Sequence, residues 1–259
     1  MTLPHFDGYI FDLDGTIYLG EALIPGADAA IARLRAAGAR CVFLSNKPLQ
    51  TRADYAAKLN RLGIPAAAED VINSSLVLAR HLARTAPGAR VFVIGEEPLR
   101  RELAAAGLEI CEEPSAIQFV ICAFDRTFHY GKLDVAFRAV RRGARIWATN
   151  PDPTCPFADR ELPDCAGIIA HLEAVTGRKC ELIAGKPSPL MMAACAERLR
   201  VPLARCLLVG DRLETDIAMG RVAGCRTALV LTGVTTPEQA RQTQPPPDYI
   251  LPSVAALAG

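Results

Sequence analysis

Short, continuous apolar runs recur along the chain: YIF at 9–11, CVFL at 41–44, VFVI at 91–94, FVICA at 119–123, CLLV at 206–209 and TALVL at 227–231, with RIWAT at 145–149. They do not alternate with polar residues, as strands with one wet face do. Such runs suit strands buried on both faces. Between them lie stretches with Ala, Ile and Leu at helical spacing, such as GADAAIARLRAAGAR at 26–40, where Gly38 is a stop signal. Others are 52–65, 97–110, 131–145 and 189–202. Strand and helix in this rhythm predict an α/β fold, a Rossmann-like parallel sheet with helices on both faces. Ligands of such sheets gather at the carboxyl ends of the strands.

The residues that follow the strands are therefore the ones to read. After 9–11 comes Asp12-Leu13-Asp14-Gly15-Thr16, two like charges that repel unless something positive sits between them. After 41–44 comes Ser45-Asn46. After ELIA at 181–184 comes Gly185-Lys186-Pro187, and after 206–209 comes Gly210-Asp211-Arg212, with Asp216 close behind. Several carboxylates, one amine and one hydroxyl suit a hard, oxygen-loving cation beside a phosphate.

Composition narrows the partners. A chain of 259 residues suits one large domain or two modest ones. With 29 basic and 28 acidic residues the net charge is +1, so neither nucleic acid nor an anionic membrane surface is expected as a partner. No apolar run approaches the roughly 20 residues of a membrane span. The stretch MTLPHFDGYIF has no basic segment ahead of a long apolar one, so no signal peptide and a cytoplasmic location are expected. The nine cysteines form no C-x-x-C and the four histidines no ligand-spaced pair. That disfavours zinc and leaves the cysteines as small core residues in a reducing compartment.

The four motifs, in order and each at a strand end, resemble those of the haloacid dehalogenase (HAD) superfamily of phosphohydrolases. The resemblance spans essentially the whole chain. Only 33 residues separate Asp12 from Ser45, but 141 separate Ser45 from Lys186, far more than one crossover needs. A smaller α/β domain is expected there: a cap at 81–180 inserted into a core of 1–80 and 181–259. This arrangement is similar to the NagD-like subfamily, whose α/β cap lies between the second and third motifs. ATNPDPTCP at 148–156 and GDRLETDIAMG at 210–220 match that subfamily. FLSNKP, ATNPD, CAGIIAHLE and ETDIAMG bring the chain near the sugar-phosphate phosphatases associated with arabinose operons.

The resemblance implies a Mg²⁺-dependent phosphomonoesterase of small metabolites such as sugar phosphates, phosphoglycolate or p-nitrophenyl phosphate. It makes Asp12 the nucleophile that carries an aspartyl-phosphate, and Asp14 the acid and base that protonates the leaving alcohol and later deprotonates water. Asp12 and Asp211 would bind Mg²⁺ through carboxylates, and Asp14 through its backbone carbonyl. Ser45, Asn46 and Lys186 would hold the phosphoryl oxygens, Gly15 would allow its close approach, and Asp216 would stand behind the ligands or cap a helix. Asn150 and Asp152 would face the substrate or form a plain turn. The chain has five Lys against 24 Arg, so a Lys in GKP points to a compact charge there.

Two departures bear on the substrate. Ser45-Asn46-Lys47-Pro48 stands where the family often has Thr-Asn-Asn-Ser, and Pro163-Asp164-Cys165-Ala166-Gly167 stands where the cap often has Pro-Gly-x-Gly. Cap-mediated homodimers occur among relatives, so a homodimer is one expectation here. Competing readings are a phosphotransferase using the same intermediate and a non-catalytic binding protein on the HAD scaffold. The mutases usually carry a helical cap between the first two motifs, for which 33 residues leave no space. A dinucleotide enzyme is disfavoured because no G-x-G-x-x-G follows the first strand.

Overall fold

The computed structural model describes residues 3–156 and 160–258. By their contacts these residues form two compact units. The first comprises the chain up to Ser45, Arg52–Ile72 and everything from Lys186 onward; the second comprises Asn46–Thr51 and Asn73–Gly185. The division thus falls at 72/73 and 185/186 rather than at 80/81 and 180/181. The physical reason is the helix Ser74–Thr85, which Asn73 caps by accepting from the Leu76 N–H at 3.0 Å and which packs on the helix Glu97–Ala105 of the second unit.

The first unit is built on a six-stranded sheet in the order Tyr249–Leu251, Arg226–Val230, Cys206–Gly210, Gly8–Asp12, Arg40–Ser45, Val71–Asn73. The pairings described in it are parallel, with Gly8–Asp12 central and buried along its whole length. Phe11 and Phe43 are register partners and their rings stack at 6.0 Å. The helix Ala27–Ala36 lays Ala27, Ala30, Ile31 and Leu34 on the core, the i, i+3, i+4, i+7 stripe of an amphipathic helix. It ends two residues before Gly38, whose φ of +90° no helix can continue.

The second unit holds a five-stranded sheet, ordered Leu182–Ile183, Arg145–Ala148, Phe119–Cys122, Arg90–Ile94, Glu109–Ile110, and again parallel. The helix Tyr130–Arg141 buries Leu133, Ala136, Ala139 and Val140 in the separate core of this unit. Trp147 packs edge-on against Phe119 at 4.9 Å. All nine cysteines are free thiols. Among the described residues no helix is long and apolar enough to cross a membrane.

The apolar runs read from the sequence are strands. The remaining strands have two or three residues and carry too short a pattern to be seen. Among these is the antiparallel hairpin Tyr18–Leu19 with Ala22–Leu23, which follows the first motif directly.

Candidate active site

Parallel register brings three of the four motifs to one edge. Gly8 pairs with both Cys206 and Arg40, so Asp12 lies level with Leu44 and Gly210. Ser45 and Asp211 each come one residue later. Lys186 opens the return of the chain to this unit, and its ammonium reaches Asp12 Oδ1 at 2.5 Å and Asp216 Oδ1 at 2.7 Å. Asp12, Asp211 and Asp216 carry oxygens within 4.8 Å of one another, and all three are buried.

One buried ammonium facing three carboxylates leaves an excess of negative charge that burial makes costly. Burial, against the pull of Lys186, pushes the Asp12 carboxyl up to about 8, and the neighbouring Asp216 and Asp211 add to the rise. Burial and Asp216 likewise push Asp211 up to about 6. Lys186 is held above the ordinary lysine range by Asp12 and Asp216, which outweigh its own burial. Asp12 Oδ2 is buried with no hydrogen-bond partner. A dication would supply both the missing charge and the missing partner, so the residues fit a hard cation of the Mg²⁺ type.

Asp216, expected behind the ligands or as a helix cap, bonds to Lys186 and to the backbone before it. Its Oδ1 accepts from Lys186 and its Oδ2 accepts from the Arg212 N–H at 3.2 Å. It sits in a π-helical turn, Leu213–Ile217, of the kind that often marks functional sites. Asp211 is fixed by the Val234 N–H at 2.7 Å. Gly15 has φ +89°, and a Cβ there would come within 2.6 Å of Asp211 Oδ2. A Cβ on Gly233 would collide with the same carboxylate. In the structure, then, Gly15 makes room for Asp211.

The Ser45 hydroxyl donates to the Tyr55 hydroxyl at 3.1 Å, on the helix Arg52–Arg61. Asp14 is only half-buried; the Gly20 N–H lies at 3.5 Å from its Oδ1, a long contact. Its backbone belongs to a tight turn in which Gly15 N–H donates to Tyr18 O at 2.7 Å. The turn is what allows residues two apart at a strand end to aim differently.

Asn46, Asn150 and Asp152 lie in the second unit and bond to one another. Asp152 Oδ2 accepts from both amides at 2.9 Å, and the Asn150 amide also reaches Asp164 Oδ1 at 3.2 Å. Asn150 is fully buried. These three residues therefore form a structural network, whatever else they contact. The stretch 163–167, expected as a shaping loop, starts the helix Cys165–Thr176 with Asp164 as its cap.

Burial pushes the Asp164 carboxyl up to about 6, against the hydrogen bonds from Asn150 and the Cys165 N–H. A carboxyl raised in the folded state is protonated there while still ionised in the unfolded chain. Its contribution is full below the ordinary carboxylate pKa and is lost as pH rises through about 6. Asp164→Asn keeps the cap and abolishes this titration. Relative to wild type, the variant is expected to gain about 2 kcal/mol between pH 4 and pH 7 in urea unfolding. A difference that stays flat with pH would refute the assignment.

Tyr55, Lys58, Gly233 and Val234 were not read from the sequence. Lysine scarcity, which singled out Lys186, could have found Lys58, which is equally buried. Nothing local marks the other three.

With this geometry in view, the comparisons are specific. A haloacid dehalogenase-like hydrolase model matches residues 9–109, and a HAD-hydrolase-like model matches residues 183–257. The sugar-phosphatase AraL of Bacillus subtilis is 40% identical over 95% of this chain and 90% of its own length. The crystal structure of a 4-nitrophenylphosphatase from Thermotoga maritima superposes with a TM-score of 0.93 at 37% identity, covering 98% of this chain and 97% of that one. A glycerol phosphate phosphatase from Mycobacterium tuberculosis, solved in complex with magnesium, gives a TM-score of 0.90 at 34% identity, covering 98% of this chain and 77% of that one. Fold, motif positions and relatives agree: the chain belongs to the haloacid dehalogenase-like hydrolase family, and within it to the NagD-like phosphatases.

Proposed function

We propose that this hydrolase cleaves small phosphomonoesters by way of a phosphorylated Asp12. The class of reaction, hydrolysis of small phosphate esters with Mg²⁺ as cofactor, comes with the family; the named relatives are phosphatases, and the one from Mycobacterium tuberculosis was solved with magnesium. The observation that carries the residue roles is the buried cluster of Asp12, Asp211 and Asp216 around the Lys186 ammonium.

Asp12, Asp211 and the Asp14 carbonyl would hold Mg²⁺. When bound, the metal offsets the repulsion between carboxylates and a phosphate dianion and polarises the phosphoryl oxygens. An Asp12 carboxylate oxygen attacks phosphorus, and the phosphorus–alkoxide bond breaks. Asp14 gives its proton to the departing alkoxide, which leaves as the alcohol. Asp14, now a carboxylate, takes a proton from water. The resulting oxygen attacks phosphorus, the Asp12–phosphorus bond breaks, and inorganic phosphate is released. Lys186 and Ser45 hold the phosphoryl oxygens in place as charge spreads over them. Relatives that act on a sugar phosphate, glycerol phosphate and 4-nitrophenyl phosphate support a small substrate.

The test is phosphate release from a panel of sugar, glycerol and aryl phosphates with Mg²⁺ and with EDTA. Release that needs Mg²⁺ and is restored by adding it back is expected. A protein that takes up phosphate on Asp12 but releases it only to a second alcohol would be a phosphotransferase.

A further inference from the structure

We infer that Lys58, buried on the helix Arg52–Arg61, is a positioning residue for proton transfer at Asp14; the inference rests on the role given to Asp14 above. Lys58 is 6% exposed, and a buried ammonium is stable only if its protons are used. Its Nζ donates to Gly20 O at 2.6 Å, pairs with Glu21 at 3.1 Å, and lies 3.8 Å from the centre of the Tyr18 ring. All three partners belong to one small element, the hairpin Tyr18–Leu23. Three interactions match the three N–H donors of an ammonium, so Lys58 is committed to the hairpin and has no donor left for a substrate.

Tyr18 and Leu23 pack on the core of the first unit, but the tip of the hairpin projects from it. Each strand has two residues, Leu19 is exposed, and a two-stranded ribbon of that length does not persist alone. This hairpin touches the Asp14 turn at three points. Asp14 forms an isolated bridge with Tyr18, Gly15 N–H donates to Tyr18 O, and the Gly20 N–H is the donor facing Asp14 Oδ1. Lys58 thus grips Tyr18 by its ring and Gly20 by its carbonyl, the two residues that touch the Asp14 turn. The cation–π contact is strengthened by burial, since little water competes for the ammonium. Three residues earlier on the same helix face, Tyr55 receives the Ser45 hydroxyl. One helix therefore braces both the phosphate-holding serine and the proton-handling aspartate.

A displaced Asp14 matters unequally for different esters. Through the first irreversible step, which kcat/KM reports, an alkyl leaving group needs the Asp14 proton and p-nitrophenolate does not. The experiment compares kcat/KM for an alkyl phosphate and for p-nitrophenyl phosphate in wild type, Lys58→Met, Lys58→Arg and Asp14→Asn. Lys58→Met is expected to lose roughly tenfold more on the alkyl ester than on the aryl ester, with KM changed by less than about twofold. Lys58→Arg, which keeps a charge and donors, should recover most of the skew. Tyr18→Leu, which removes only the ring under the ammonium, should reproduce it and serves if Lys58→Met does not fold. An equal loss on both esters, or none, overturns the inference while leaving Asp14 untouched, provided Asp14→Asn discriminates. If Asp14→Asn also treats the two esters alike, the reading of Asp14 as the acid fails and takes this inference with it.

Discussion

Replacing Asp12 by Asn is expected to lower turnover of every phosphomonoester by roughly 10⁴-fold or more, because the covalent route disappears rather than weakens. The fold should survive. Lys186 keeps its 2.7 Å contact with Asp216, and the substitution removes one of three carboxylates crowded round a single ammonium. Since burial already pushes Asp12 up to about 8, its ionised form is costly without metal. The metal-free variant should therefore melt at or above the wild-type temperature, an instance of a site kept for chemistry at the expense of stability. Quenched-flow trapping of acid-stable, protein-bound phosphate gives the direct readout: present in wild type, absent in the variant. A variant that keeps more than a few per cent of activity would place the nucleophile elsewhere.

Lys186→Met should be the most damaging substitution for the fold of the first unit. The lysine side chain is 5% exposed and bridges Asp12 to Asp216, partners 174 and 30 residues away in sequence. Removing it leaves buried carboxylates with no cation. Losing one partner of a buried pair costs about 3–5 kcal/mol, well beyond the worth of an exposed ion pair. Urea unfolding without metal is expected to show that loss. Added Mg²⁺ should restore part of it, because metal bound only by the folded state stabilises by mass action. Activity should stay low even with Mg²⁺, since no ammonium then faces the phosphoryl oxygens. A change in stability under about 1 kcal/mol would show that water already screens the cluster.

The strands that carry the motifs were legible for a local reason. Runs such as Tyr9–Phe11 and Leu207–Val209 are continuously apolar because helices cover both faces of the sheet, and that pattern lies within a few neighbouring residues. The acids, the serine and the lysine stood out because each interrupts such a run at the edge where parallel strands present ligands. The hairpin Tyr18–Leu23 was not legible. Its strands have two residues each, too few to show alternation, and it is held by Lys58 from 35 residues or more downstream. Which unit the helix Ser74–Thr85 joins was not legible for a similar reason. The helix Ser74–Thr85 has an ordinary amphipathic pattern, which says that it packs but not on which unit.

By itself, the sequence determined the α/β rhythm, the insertion between Ser45 and Lys186, and the residue types at four strand ends. These depend on hydrophobic periodicity and on short motifs, which are properties of neighbours. Only the tertiary structure decided that Asp216 shares Lys186 with Asp12, and that Gly15 and Gly233 clear space for Asp211. It also decided that Val234 fixes that carboxylate, and that Asn46, Asn150, Asp152 and Asp164 are joined by hydrogen bonds. Each is a pairing between positions far apart in the chain, set by the register of the sheet and by the need to satisfy every buried charge and donor. A residue's own letter carries its chemistry, but the partner that orients it is chosen by packing.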